Sequence, residues 1–340
     1  MSGSGCATHI FTGPLDIPLG FGTWALGGTD WGPITAGEAK EVIRCAWDLG
    51  FRHFDTAESY GGGRAEQLLG QALRREIRQE RDSLYLATKS VVREPDALAK
   101  HLERSLRRLG TPRIDLYYIH WPRRGISLLK AVEELERQRE RGRIGAIGLS
   151  NISADEYHQV CDRFPVAAVQ VGYSFLWRAP EEDLWPALRI TGGKTCRVAY
   201  SPLAQGLLAR AFPREPRWDA RDHRKETPLF SPPAWNVLHR FNDRYVALCR
   251  GAGLSPASVA LRWLLAPGRA DAAIVGGRTA EQLRSLVAGL AAINAGESEN
   301  AVQAVAAEIE ELYEITKHAI PDLPNMFGYV PRPLPEHDGS

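Results

Sequence analysis

The sequence predicts a closed (β/α)8 barrel in a single domain spanning residues 1–340, with an extra C-terminal helix and long loops at one face. Two observations carry this. Short apolar runs alternate with longer amphipathic segments eight times, and no change of composition interrupts the 340 residues. The competing architecture, an open doubly wound sheet, wants a GxGxxG turn opening its first helix. Gly20-Phe21-Gly22-Thr23-Trp24-Ala25-Leu26-Gly27 only half resembles one, and its Trp and Leu stand where a pyrophosphate needs close backbone approach.

The elements follow in order. Ile17 to Phe21 reads as the first strand. A helix runs from about Ala36 to Leu49, with Thr35 and Glu38 spaced as a capping box and Gly50 at its end. The second strand, Phe51 to Phe54, precedes a helix from about Ala65 to Arg78. The third, Leu84 to Thr88, precedes a helix that Pro95 opens and Gly110 closes. The fourth, Ile114 to Ile119, precedes a charged helix from about Ser127 to Arg141. Arg143 to Leu149 is the fifth strand, and Ser153 with Glu156 caps the helix after it. Ala167 to Val171 and Arg197 to Tyr200 are the sixth and seventh strands, separated by a weaker helical stretch reaching Arg189. A Pro- and charge-rich excursion from about Arg210 to Pro233 reads as a loop. Helices at Ala234 to Arg250 and at Pro256 to about Ala266, the latter capped by Ser255, lead to the eighth strand, Ala272 to Val275. Helices at about Ala280 to Leu290 and Ala301 to Lys317 follow, and then a Pro-rich tail over 321–340.

Composition narrows the function classes. The net charge of +1 offers no general attraction to nucleic acid or anionic membrane. No run approaches the roughly 18 apolar residues of a membrane span. The N-terminus lacks the basic and apolar regions of a signal peptide, so a soluble cytoplasmic protein is expected. The five cysteines are odd in number, widely spaced and without CxxC pairs, and no His, Cys or carboxylate group has metal-site spacing.

Four polar residues stand at or just past strand ends: Asp55, Tyr60, Lys89 and His120. Barrel enzymes place their chemistry at the C-terminal strand ends, so a barrel brings these four to one rim. A phenol has an ordinary pKa near 10, and a nearby ammonium lowers it. Tyr60 is thus a candidate general acid, Lys89 its tuner, Asp55 the anchor of Lys89, and His120 a partner for the substrate oxygen. Such a set suits protonation of the oxyanion formed when hydride reaches a carbonyl carbon.

These residues sit in longer stretches that resemble the aldo-keto reductases: Phe51-Arg-His-Phe-Asp-Thr-Ala-Glu-Ser-Tyr-Gly61, Ala87-Thr-Lys-Ser90, Asp115-Leu-Tyr-Tyr-Ile-His-Trp-Pro122, Gly145-Ala-Ile-Gly-Leu-Ser-Asn151, Ala199-Tyr-Ser-Pro-Leu203 and Gly276-Gly-Arg-Thr-Ala-Glu-Gln282. They occur in family order and cover about residues 15 to 290. The resemblance implies that Asp55, Tyr60, Lys89 and His120 are the catalytic tetrad of an NADP(H)-dependent oxidoreductase reducing an aldehyde or ketone. It implies that Ser150, Asn151 and Gln170 bind the nicotinamide carboxamide and that Tyr200 stacks on its ring. Ser201, Pro202, Leu203, Gly206 and Leu207 match the pyrophosphate loop. Gly22, Thr23, Trp24, Asp55, Gly276 and Gln282 match further cofactor contacts. Arg278 matches the residue that meets the adenosine 2′-phosphate, which favours NADP(H). Trp24, Tyr60, His120 and Trp121 match the substrate pocket, and the Arg210–Pro233 excursion matches a loop that folds over the cofactor.

One departure stands out. Ser285 and Leu286 replace a Glu and an Asn that contact adenine in many members, which weakens the expected grip on adenine. The expected partner is a small carbonyl substrate, with Trp24, Trp31 and Trp121 suited to a sugar or another ring; substrate identity, preferred direction and oligomeric state are not encoded in any motif. Some members instead act as redox-sensing regulatory subunits with little turnover, and an intact tetrad is compatible with that alternative. Gly61-Gly62-Gly63 is not a P-loop, because no GK[ST] follows; it reads as a turn of unusual dihedrals. His53 reads as a packed side chain.

Overall fold

The computed structural model describes residues 10–320 apart from 93, 124, 191, 193 and 295–298. The Pro-rich tail lies outside the described residues. Eight parallel strands close into a barrel in sequence order: β1 Leu19–Gly22, β2 His53–Asp55, β3 Tyr85–Val91, β4 Ile114–Trp121, β5 Ile144–Ser150, β6 Ala168–Gly172, β7 Cys196–Tyr200 and β8 Ala272–Gly276. Closure comes from β1 against β8, with Leu19 opposite Ala273 and Gly22 opposite Gly276. The expected (β/α)8 barrel is the fold observed.

The helices are α1 Ala36–Asp48, α2 Arg64–Ala72, α3 Arg74–Gln79, α4 Leu98–Leu109, α5 Leu128–Glu140, α6 Ala154–Cys161, α7 Leu184–Ile190, α8 Ala234–Gly251, α9 Pro256–Leu264, α10 Ala280–Asn294 and α11 Glu299–Thr316. α4 turns Leu98, Leu102, Leu106 and Leu109 inward and leaves Arg107 exposed, whereas α9 is buried on nearly every side. Both expected capping boxes are present, Thr35 with Glu38 and Ser153 with Glu156.

Several boundaries differ from the sequence reading. The first strand begins at Leu19, because Pro14–Asp16 forms a short turn and Leu19 N–H donates to Ile17 O. The single helix expected over Ala65–Arg78 breaks at Leu73 (φ −105°, ψ 25°), and Arg44 donates to the Ala72 carbonyl there. Pro95 opens a 3-10 turn, Pro95–Ala97, that leads into α4. Ser255 precedes α9 without a side-chain capping hydrogen bond. The excursion contains two 3-10 turns, His223–Glu226 and Pro228–Phe230, and an antiparallel bridge from Asp222 to Trp31.

Strand periodicity positions the site. Alternate residues point into the barrel. Small or flat side chains fill its lower layers: Ala87, Leu116, Tyr118, Ala168, Cys196, Val198, Ala272 and Ile274 form one buried cluster with Phe11. A Cβ on Gly148 would lie 2.3 Å from the Tyr118 ring, so β5 needs glycine there. Two residues further along the same inward-facing rows come Lys89, His120, Ser150, Gln170, Tyr200 and Gly276, and the β2 row reaches Asp55 two residues after His53. The larger core lies between the strands and the helices.

Candidate active site

The C-terminal strand ends bring Asp55, Tyr60, Lys89 and His120 together. Asp55 ends β2, Lys89 lies in β3, His120 lies near the end of β4, and Tyr60 opens the turn after β2. Lys89 Nζ is 2.5 Å from Asp55 Oδ1 and donates to Thr56 O at 2.9 Å. Gln170 Nε2 donates to the other Asp55 oxygen at 2.9 Å. Asp55 and Lys89 are 2% and 1% exposed, so this pair is fully desolvated. Lys89 Nζ lies 5.2 Å from the centre of the Tyr60 ring, and the Tyr60 and His120 rings meet edge to face at 5.8 Å.

Burial governs the titration of these groups. It holds the Tyr60 phenol well above its ordinary value, aided by the Asp55 carboxylate, Tyr200 and the Asp30 carboxylate. This reverses the lowering expected from Lys89, whose ammonium is matched by Asp55. Burial also holds His120 well below the ordinary imidazole value, and the Lys89 charge adds to that effect. Near neutrality the site therefore presents an intact phenol and an uncharged imidazole.

Glycine places the phenol. Gly61, Gly62 and Gly63 have φ of 58°, 65° and 94°. A Cβ on Gly61 would lie 2.3 Å from Gly27 O, and one on Gly27 would lie 2.9 Å from Gly61 N. This backbone contact sets the Tyr60 turn against the β1–α1 loop. Trp24 on that loop then packs 6.2 Å from Tyr60, ring to ring. Trp121, next to His120, tilts against its imidazole at 6.1 Å.

Several residues expected around the cofactor already have partners within the protein. Asn151 donates to His120 O at 2.9 Å and to Ser150 Oγ at 3.0 Å, and it accepts from Tyr200 OH at 2.7 Å. The Thr23 hydroxyl is spent on Asp55 O at 3.1 Å, which ties β1 to β2. Gly22 has no room for a side chain, since a Cβ would meet Ile274 at 2.7 Å. Ser201 and Gly206 hold positive φ of 50° and 98° in the loop after β7, Pro202 is buried, and Leu207 packs into the core. Arg278 donates to four backbone carbonyls, those of Ala25 (3.3 Å), Trp31 (2.5 Å), Gly32 (3.3 Å) and Pro33 (2.7 Å). Gln282 accepts from Arg278 N at 2.8 Å beside the start of α10. Leu286 is buried in the core, so it presents no face to a ligand.

Other contributors lacked a sequence signal. His223 on the excursion donates its backbone N–H to Asp30 O at 2.8 Å, and its ring nitrogen Nδ1 contacts the same oxygen at 2.7 Å. Arg224 pairs with Asp222 and stacks on Trp31 and Trp218. The contacts to Asp30 and Trp31 cross 193 residues of chain. Gln205 was legible in principle, since it lies between Leu203 and Gly206.

The family model for the aldo/keto reductase family matches residues 18–308. The chain belongs to that family. It is 32% identical over 279 residues to Aldo-keto reductase YhdN of Bacillus subtilis (strain 168), covering 79% of this chain and 83% of that protein. It is 30% identical over 268 residues to Aldo-keto reductase yakc [NADP(+)] of Schizosaccharomyces pombe (strain 972 / ATCC 24843), covering 74% and 76%. Among solved structures, the glycerol dehydrogenase AKR11B4 from Gluconobacter oxydans superposes with a TM-score of 0.72 at 28% identity, covering 89% of this chain and 96% of that one. Aldo-keto reductases are oxidoreductases that act on small molecules with nicotinamide cofactors.

The donor set of this aldo-keto reductase fits a nicotinamide dinucleotide. Both amide atoms of Gln205 are buried without a hydrogen-bond partner, in the loop after β7. The Arg210, Arg224 and Arg278 guanidinium groups lie within electrostatic reach of Asp222, which pairs with Arg224. Among the described residues, no His, Cys, Asp and Glu group forms a metal site, and no helix is long and apolar enough to cross a membrane.

Proposed function

We propose that this aldo-keto reductase reduces an aldehyde or ketone to an alcohol with NADP(H), and that Tyr60 is the proton donor. The observation that carries this reading is the Tyr60 phenol set 5.2 Å from a buried, carboxylate-pinned Lys89 and edge to face with His120 at 5.8 Å. When bound, the nicotinamide supplies a hydride to the carbonyl carbon. Tyr60 passes its phenolic proton to the carbonyl oxygen, where negative charge develops. Lys89 stabilises the phenolate left behind, and Asp55 keeps Lys89 beside the ring. His120 is uncharged, so one ring nitrogen donates to the substrate oxygen without competing as an acid. In the alcohol-oxidising direction Tyr60 acts as base.

The residues proposed to hold the cofactor are Ser150, Asn151 and Gln170 for the carboxamide and Tyr200 for the ring face. Ser201, Pro202, Leu203, Gly206 and Leu207 hold the pyrophosphate, with Gly22, Thr23, Trp24, Gly276 and Gln282 completing the cradle. Arg278 meets the 2′-phosphate. A phosphate competes for that guanidinium against four neutral carbonyls, and it adds the opposite charge and the bidentate geometry that the carbonyls lack. Similarity to a glycerol dehydrogenase and to a protein named for NADP(+) supports small hydroxylated carbonyls and NADP(H) as ligands.

One experiment tests the whole reading. The wild-type protein and Tyr60→Phe are titrated with NADPH and NADH by fluorescence, then assayed against an aldehyde panel. The reading expects NADPH to bind more tightly than NADH, with equal NADPH affinity in both proteins. It expects turnover to fall by about 10²–10⁴-fold in the variant. Equal affinity for the two nucleotides removes the role given to Arg278, and full activity in Tyr60→Phe removes the mechanism. Tight NADPH binding with no carbonyl reduced points instead to a redox-sensing subunit.

A further inference from the structure

One face of α4 grips the Tyr60 loop on both sides of the phenol. Glu58 precedes Tyr60 on that loop. Its backbone N–H donates to Lys89 O at 3.1 Å, and its carboxylate meets His101 Nδ1 at 2.7 Å and Arg104 at 3.6 Å. Glu66 follows Tyr60 and is fully buried. Its Oε1 accepts from the Thr88 hydroxyl at 2.8 Å and its Oε2 from Arg108 at 3.1 Å. His101, Arg104 and Arg108 lie three and four residues apart, so they line one stripe of the helix. A Cβ on Gly63 would lie 2.2 Å from Arg108 Cζ, so that guanidinium rests against the turn itself. Both carboxylates thus join the Tyr60 loop to α4 and to β3, the strand that carries Lys89.

We propose that Glu58 and His101 are positioning residues for proton transfer, and that their contact holds the Tyr60 phenol in register with Lys89. The inference rests on the reductase reading above, which makes Tyr60 the proton donor. The segment between the two grips has little stiffness of its own, since Gly61, Gly62 and Gly63 all take left-handed backbones. Glu66 fixes its far end inside the core. The near end depends on Glu58, whose side chain is 11% exposed against a His101 side chain 19% exposed. Such a pair is shielded from most of the screening that weakens surface ion pairs. A carboxylate only accepts, so His101 keeps its proton on Nδ1 and donates it to Glu58. The backbone N–H of Glu58 on Lys89 O then carries this anchorage to the tetrad. Neither residue touches the reacting atoms; a displacement of about 1 Å in the group they hold is enough to cost about 10²-fold in rate.

The test follows a single turnover of bound NADPH with saturating propanal in the full-length wild type, Glu58→Ala, His101→Ala, the double variant and His101→Asn. The rate constant per bound nucleotide is independent of how much protein is folded. Both alanine variants are expected to lower it about tenfold or more, with NADPH affinity and the KM for propanal within about twofold of wild type. The double variant is expected to be no slower than the worse single one, because the two residues act through one contact. Asn places an amide donor where Nδ1 stood, so His101→Asn is expected to recover most of the rate and serves if the alanine variants do not fold. Glu103→Ala, on the outer side of the same helix, is expected to match wild type. A merely structural pair would reduce the fraction of protein that binds NADPH but not the rate at which each bound nucleotide is consumed. That result, or additive losses in the double variant, or a His101→Asn as slow as His101→Ala, overturns the proposal. A wild type that binds NADPH and reduces no aldehyde overturns the reductase reading and this role with it.

Discussion

His53 shows what burial does to a single residue. It points into the barrel one layer below Asp55, stacked between Phe11 at 4.0 Å and Tyr85 at 5.1 Å, with Nδ1 against Ile10 O at 3.0 Å. Its Nε2 is buried without a partner, so a second proton would add an unpaired charge inside the barrel. Burial accordingly lowers its pKa to about 4. An imidazole in the unfolded chain takes up a proton near pH 6.5, while folded His53 does not until about pH 4. Below pH 6.5 the unfolded state binds more protons, so the fold loses stability as pH falls through that window and keeps all of it above. The loss attributable to this residue is roughly 3 kcal/mol. His120 adds in the same direction. Urea unfolding at several pH values is expected to show the decline, and His53→Phe is expected to remove the His53 share of it. Identical slopes in the two proteins would contradict the assignment.

At the scale of an element, the Tyr60 turn depends on where a methyl group fits. Gly61 and Gly62 share left-handed backbones, yet a Cβ at Gly61 strikes Gly27 O at 2.3 Å while one at Gly62 meets nothing within 4 Å. Gly61→Ala is therefore expected to push the turn off the β1–α1 loop and lower kcat/KM at least tenfold, with the far-UV circular dichroism of the barrel retained. Gly62→Ala bears only the backbone penalty of about 1 kcal/mol and is expected to keep activity within a few-fold. Equal activity in the two variants would show that the Gly27 contact does not position Tyr60. The glycine run and its odd dihedrals were legible from the sequence. Its opposing glycine was not, because Gly27 and Gly61 meet only after the barrel closes.

At the scale of the whole molecule, one carboxylate ties the last helix to the barrel. Glu310 on α11 accepts from Trp263 Nε1 at 2.7 Å and pairs with Arg178 at 2.8 Å and Arg269 at 3.2 Å. Arg178 stacks on Tyr313 of the same helix at 3.7 Å, and Arg269 stacks on Trp263 at 3.8 Å. Removing Glu310 leaves two guanidinium groups and an indole N–H without their shared acceptor. Glu310→Ala is expected to cost about 1–3 kcal/mol in urea unfolding, and Glu314→Ala, which loses only an exposed pair with Lys317, to leave the midpoint unchanged. A Glu310→Ala midpoint equal to that of Glu314→Ala would mean that α11 is held by its apolar face alone.

The sequence by itself determined the order of strands and helices, both capping boxes and the rim on which Asp55, Lys89 and His120 stand. Local periodicity and short-range hydrogen bonding set those features, and strand alternation carries the row from Ala87 to Lys89 or from Tyr118 to His120 regardless of distant chain. Only the tertiary structure decided the state and employment of the side chains. Whether Tyr60 is lowered or raised depends on how much water the closed barrel excludes and on Asp55 claiming Lys89. The engagement of Arg278 with the Ala25–Pro33 carbonyls, the inward turn of Leu286 and the grip of His223 on Asp30 depend on loops that meet across most of the chain. No local pattern reports such meetings, because the energy that holds them exists only when the two segments touch.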